Sequence, residues 1–208
     1  MVTTIKNILF DLGGVLYHID YKLTIKAFEK LGIKNFHEHF SQLQQNNLFD
    51  RLETGKVTDE DFIKEMKVLL PHCNREEIIN AWNALLIKLP QENIQLLQDL
   101  SKQFRLFLLS NTNSIHINRI NKLLYKDYNF KSLDPLFDKV YLSHQIGMRK
   151  PNSETFEWVL KDAGILAQET LFIDDSIQHI ESANLLGIQT QLWDSNKPFK
   201  EFFLDKVL

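Results

Sequence analysis

The chain has 208 residues, 44% of them hydrophobic and 25% charged, with a formal net charge of -3. That is the composition of a globular chain able to bury a core, organised as one domain or as one domain with a sizeable insertion. The balanced charge argues against nucleic acid or an anionic membrane as the main partner, the single Cys73 excludes an intrachain disulfide, and no apolar run approaches a membrane span. Residues 1–7 lack a secretory apolar core, so the expected location is the cytoplasm.

The first informative stretch is Ile5–Leu16, IKNILFDLGGVL. Ile8, Leu9 and Phe10 read as a buried strand that breaks at Asp11 and then at Gly13 and Gly14. A carboxylate at the end of a buried strand, before a loop that can approach a ligand closely, suits a site in an open α/β sheet. A strand ending in a capped turn has the same local sequence. From residue 17 to 89 the pattern is helical, with no strand expected. Asp20 precedes YKLTIKAFEKLG, which Gly32 stops. Phe36–Leu48 is polar and rich in Gln and Asn. Thr58 with Asp61 resembles a capping box, and Asn74 caps a second amphipathic helix, REEIINAWNALLIKL, closed by Pro90.

From Pro90 onward helix and strand alternate. Helix Asn93–Lys102 is followed by strand Phe104–Leu109, which ends at Ser110-Asn111. Asn113 caps helix Ile115–Tyr125, strand Lys139–Ser143 follows, and helix Ser153–Ala163 halts at Gly164. Strand Thr170–Ile173 ends at Asp174-Asp175, helix Ile177–Leu186 ends at Gly187, and Ile188–Trp193 is the last strand. The tail from Lys197 is left unassigned. This rhythm predicts a doubly wound parallel sheet with helices on both faces. The helical insert leaves directly after Asp11, at the edge where ligands bind, so it is placed to act as a lid.

Three strands therefore end in polar groups at one edge: Asp11, Ser110-Asn111 and Asp174-Asp175. Lys150, in GMRKP, sits just before a capped helix. Each has an ordinary structural reading taken singly, as turn, N-cap or solvated side chain. Clustered carboxylates repel one another unless a cation lies among them, and Mg²⁺ is a cation that takes a few protein oxygens and keeps several waters. Lys150, Ser110 and helix N-terminal amides suit a phosphate.

The ordered set FDLGGVL, LLSNTN, GMRKP and FIDDS, with a helical insert after the first, resembles the haloacid dehalogenase (HAD) superfamily with a C1-type cap. Within it, DLGGVL, YLSHQIGMRKP and FIDDSIQHIESANLLG are most similar to sugar-phosphate phosphatases acting on α-D-glucose-1-phosphate. The resemblance implies a Rossmann-like core of residues 1–16 and 90–208, sheet order 5-4-1-2-3, and an all-helical cap of residues 17–89. It implies a Mg²⁺-dependent phosphatase of a small phosphorylated metabolite, with Asp11 forming an aspartyl-phosphate. Ser110 and Asn111 would hold the phosphoryl group with Lys150. Mg²⁺ would be held by Asp11, Asp175, Asp174 (directly or through water) and the backbone carbonyl of Gly13.

One position departs from the pattern. Most members carry an acid–base Asp two residues after the nucleophile, where this chain has Gly13, and losing such an acid costs ~10²–10⁴-fold in rate. Asp20 is the first candidate replacement, although it is also the natural N-cap of the helix beginning at Tyr21. His18 and His144 are alternatives. In the insert, Phe36, His37, His39, Phe40, Arg51 and Trp82 are within possible reach of a substrate, the aromatics being read mainly as packing, and no specificity residue is assigned. The competing functions are a metal-independent 2-haloacid dehalogenase, a phosphomutase, which the missing acid disfavours, and a phosphate-ligand-binding protein without turnover. Oligomeric state is not indicated.

Overall fold

The computed structural model describes residues 4–36, 47–194 and 203. Strand β1 (Asn7–Phe10) is buried on both faces, as expected of a central parallel strand. The chain then makes a two-residue strand, β2 (His18–Ile19), and enters helices α1 (Tyr21–Lys30), α2 (Asn47–Glu53), α3 (Asp59–Leu69) and α4 (Arg75–Trp82). It returns through a 3₁₀ turn at Asn83–Leu85 and strand β3 (Leu86–Lys88). Alternation follows: α5 (Gln91–Leu100), β4 (Arg105–Ser110), α6 (Ser114–Tyr128), β5 (Lys139–Leu142), α7 (Ser143–Ile146), α8 (Ser153–Ala163), β6 (Thr170–Asp174), α9 (Ile177–Leu185) and β7 (Gln189–Leu192).

The five core strands are parallel and lie in the order β5-β4-β1-β6-β7. Counted along the core alone this is 3-2-1-4-5, the expected 5-4-1-2-3 read from the other edge. The two-residue period of the strands divides the core into two layers. Ile8, Phe10, Leu106, Leu108 and Ile173 pack with Leu97 and Leu100 of α5 and Ile120 and Leu124 of α6. Leu9, Phe107, Leu109 and Phe172 pack on the opposite face with Phe156 and Val159 of α8 and Ile180 of α9.

The helical cap has its own apolar centre, built from Phe28, Phe36, Phe49, Phe62 and Trp82. Phe28 stacks on Phe36 at 4.4 Å, and Trp82 lies between Phe49 at 5.0 Å and His116 of α6 at 4.9 Å. Thr58–Asp61 and Asn74–Glu77 form the capping boxes that start α3 and α4. These contacts place Phe36 and Trp82 in the packing of the cap. Arg51 pairs instead with Glu65 at 3.3 Å. His37, His39 and Phe40 lie outside the described residues.

The expectation of an insert without strands is corrected. β2 and β3 pair antiparallel, His18 opposite Lys88 and Ile19 opposite Leu86. They are the outgoing and returning crossovers between core and cap, and running side by side they satisfy each other's backbone groups. The helix expected to run on to Leu89 therefore stops at Trp82. Ser143, expected at the end of a strand, opens α7.

Candidate active site

Parallel register places the acidic residues. Phe10 is opposite Ile173 and Leu108, so the residues that follow, Asp11 and Asp174, emerge side by side where the strand order reverses. The Asp11 amide bonds the Ile173 carbonyl at 2.9 Å. Ligands of doubly wound sheets bind in the crevice at this point. Asp11, Asp174 and Asp175 bring carboxylate oxygens within 4.8 Å of one another.

Lys150 enters this cluster from the loop before α8 and is fully buried. Its ammonium donates to Asp11 Oδ1 and to Asp174 Oδ2, both at 2.6 Å. Asn111 holds the lysine's backbone from both sides: its Nδ2 donates to the Lys150 carbonyl at 2.8 Å, and its Oδ1 accepts from the Lys150 amide at 2.9 Å. Ser143 Oγ braces the neighbouring loop, accepting from the Thr112 amide and donating to the Thr112 carbonyl, each at 2.9 Å. Asp174 accepts from the Ser176 amide at 2.8 Å and contacts His179 Nδ1 at 2.9 Å, so both its oxygens have protein partners.

Burial pushes the Asp11 carboxyl up to about 7; Lys150 pulls it down and Asp174 and Asp175 push it further up. Burial acts the same way on Asp174, yet Lys150 and the His179 hydrogen bond outweigh it and hold the group at about 2. Burial alone would lower the Lys150 ammonium, but Asp11 and Asp174 more than offset this and raise it. One ammonium thus faces three carboxylates, leaving a net negative site of oxygen donors. That donor set fits a hard divalent cation such as Mg²⁺.

The cleft above the cluster, about 750 Å³ out to its open mouth, is lined from the core by Asp11, Ser110, Asn111, Arg149 and Asp175 and from the cap by Tyr21 and Glu53. Gly13 also lines it, and a Cβ there would meet Ile19 Cδ1 at 2.9 Å, so the space an acid at position 13 would enter is held by an apolar side chain. Asp20 N-caps α1, accepting from the Lys22 amide at 2.9 Å, and is not among the residues lining the cleft. His18, in β2, and His144, in α7, do not line it either.

Sequence reasoning missed Tyr21, Glu53, Arg149, Ser143 and His179. Arg149 stood beside Lys150 in GMRKP, but its partners Asp50 and Glu53 lie about a hundred positions away in sequence. Asn111 was expected to offer backbone amides beside the phosphate; its side chain has the further part of securing the backbone of Lys150.

Fold and site together define a doubly wound α/β protein that gathers three carboxylates and a buried ammonium at its switch point. The chain belongs to the haloacid dehalogenase-like hydrolase family, whose model matches residues 8–192. It is 34% identical over 190 residues to a D-ribitol-5-phosphate phosphatase from Bacteroides thetaiotaomicron, covering 89% of this chain and 90% of the relative. It is 29% identical over 200 residues to a glyceraldehyde 3-phosphate phosphatase from Methanocaldococcus jannaschii, covering 89% and 83%. A crystal structure of a HAD family enzyme from B. thetaiotaomicron, an aspartate-to-alanine mutant in complex with magnesium and inorganic phosphate, matches with a TM-score of 0.90. That match is 35% identical and covers 96% of this chain and 98% of the other.

Proposed function

We propose that this protein is a Mg²⁺-dependent phosphatase of small phosphorylated polyols or sugars, acting through an aspartyl-phosphate on Asp11. The observation that carries it is the cluster of Asp11, Asp174 and Asp175 around the buried Lys150 ammonium, at the carboxyl ends of parallel strands. Two relatives are named for phosphatases of this substrate class, and a structural neighbour holds magnesium and phosphate. Residues 1–16 and 90–208 form the catalytic core in this reading, and residues 17–89 the C1-type cap.

Asp11 is the nucleophile: Lys150 fixes Oδ1, and as Oδ2 bonds to phosphorus in line the P–O bond to the leaving group breaks, the departing oxygen taking its proton from water. Phosphoryl transfer depends chiefly on positioning and charge, which is what Lys150, Ser110 and the amides after it provide. Asp11, Asp175, the Gly13 carbonyl and, less directly, Asp174 hold Mg²⁺. Asp174 is the weaker ligand because its oxygens already accept from Lys150 and Ser176. When bound, the cation keeps Asp11 ionised against its burial and offsets charge on the phosphoryl oxygens. Water then hydrolyses the aspartyl-phosphate to phosphate and free Asp11, with Lys150 still neutralising the carboxylate.

The clustered acids favour this reading over a dehalogenase, which needs the Asp nucleophile without a cation. The test is hydrolysis of p-nitrophenyl phosphate with Mg²⁺ and with EDTA, alongside Asp11→Asn. Turnover that requires Mg²⁺ and vanishes in the variant is expected; halide release from a 2-haloacid without metal would overturn it. A panel of D-ribitol 5-phosphate, D-glyceraldehyde 3-phosphate and α-D-glucose 1-phosphate then ranks the substrates, the last being the one implied by the sequence resemblance.

A further inference from the structure

We infer that Glu53 selects the leaving group, admitting neutral polyhydroxylated groups and rejecting carboxylated ones; this rests on the phosphatase reading above. Glu53 ends α2 in the cap, is 7% exposed, and lines the cleft that contains Asp11 and Ser110. In-line attack from Asp11 sends the leaving oxygen to the far side of the phosphorus, toward the cap, where Glu53 and Tyr21 face the cleft.

Glu53 is held in place across the cap–core boundary. Its Oε2 lies 3.1 Å from Arg149 Nη2, while Arg149 Nη1 donates to Asp50 Oδ1 at 3.0 Å. Asp50, which does not line the cleft, and Glu53, which does, share the one guanidinium, so Arg149 does not cancel the charge of Glu53 outright. Arg149 is bonded in sequence to Lys150, so the part that positions Glu53 is continuous with the part that positions Asp11. Burial, then the charge of Glu53, keeps the Tyr21 phenol protonated. An accepting carboxylate beside a donating phenol matches a hydroxyl, which both donates and accepts. A carboxylate on the leaving group would bring like charge against Glu53 in a partly desolvated cleft.

Glycerol 3-phosphate and 3-phosphoglycerate share one carbon skeleton and differ in a terminal CH₂OH against a carboxylate, so their kcat/KM ratio isolates this effect. The wild-type protein with Mg²⁺ is expected to prefer glycerol 3-phosphate by about tenfold or more, because its neutral hydroxymethyl group escapes the like-charge contact. Glu53→Gln, isosteric and uncharged, is expected to narrow the ratio at least about fivefold, chiefly by lowering KM for 3-phosphoglycerate. A Glu53→Gln protein that folds and keeps the wild-type ratio overturns the inference. A wild-type ratio near or below one overturns it without any variant. Should p-nitrophenyl phosphate be hydrolysed while that ratio is near one, the phosphatase reading stands and the role of Glu53 falls. If the wild-type protein hydrolyses no phosphate ester at all, both fall.

Discussion

At the scale of single residues, two buried titratable groups report on the site and its surroundings. Lys150 is fully buried between two carboxylates 2.6 Å away, and removing one partner of such a pair leaves charge uncompensated in the interior. Lys150→Met is therefore expected to lower the unfolding free energy in EDTA by about 3–5 kcal/mol. Urea unfolding measures this, and a loss under ~1 kcal/mol would show that Asp11 and Asp174 do not depend on the lysine. His116 is the opposite case. Burial lowers its pKa from 6.5 to about 3, and its ring stacks on Trp82 while Nδ1 contacts Asn83 Oδ1 at 3.0 Å. Between those two values the unfolded chain binds a proton that the folded chain refuses, so stability is full above about pH 6.5 and falls on acidification toward pH 3. Each pH unit well inside that window is worth about 1.4 kcal/mol. Unfolding measured at pH 7, 6 and 5 should show His116→Gln losing stability less steeply than wild type; parallel slopes would mean that folding leaves the affinity of His116 for a proton unchanged.

At the scale of elements, Asp20 begins α1, and its side chain accepts from the Lys22 amide. Asp20→Ala is expected to cost about 1 kcal/mol of stability as a lost N-cap. It should leave the ratio of turnover on D-ribitol 5-phosphate to that on p-nitrophenyl phosphate unchanged. Selective loss on the alkyl ester would return Asp20 to proton transfer. Most elements were legible because their signals are local: apolar runs ending at Asp11, Ser110 and Asp174, capping residues at Thr58, Asn74 and Asn113, and glycine stops at Gly32 and Gly164. The four ordered motifs likewise carried the residues that converge at the switch point. The β2–β3 pair was not legible, because strands of two and three residues have no period to read and exist by meeting each other at the crossover. The same holds for Glu53, Arg149 and Asp50, whose meaning lies in a contact between cap and core that no spacing in the sequence announces.

At the scale of the whole molecule, cap and core meet at a few tight points, and turnover should depend on them because Tyr21 and Glu53 of the cap line the cleft. Arg149 reaches Asp50 and Glu53, Ser114 Oγ donates to Asp59 Oδ1, and the Trp82 indole donates to Asn113 Oδ1 at 3.3 Å. Another such point is Gly55, just beyond α2. Its φ is +67°, in the left-handed region that favours glycine, and an added Cβ would lie 2.2 Å from the His144 backbone carbonyl oxygen. A carbonyl in α7 cannot swing aside as a side-chain tip can, so alanine must push α2 away from the core. Overpacking of this kind costs about 1–3 kcal/mol, and left-handed strain adds roughly 1–2 more. Moving α2 also moves Asp50 and Glu53 off Arg149, which loosens the loop carrying Lys150. Gly55→Ala is therefore expected to reduce kcat/KM for D-ribitol 5-phosphate about tenfold or more at a temperature where the fold is intact, with the loss weighted toward kcat. Steady-state kinetics with near-UV circular dichroism decides it. A variant with native dichroism and wild-type kcat/KM would show that turnover does not require the cap to sit this close, and that the core alone positions everything the reaction uses.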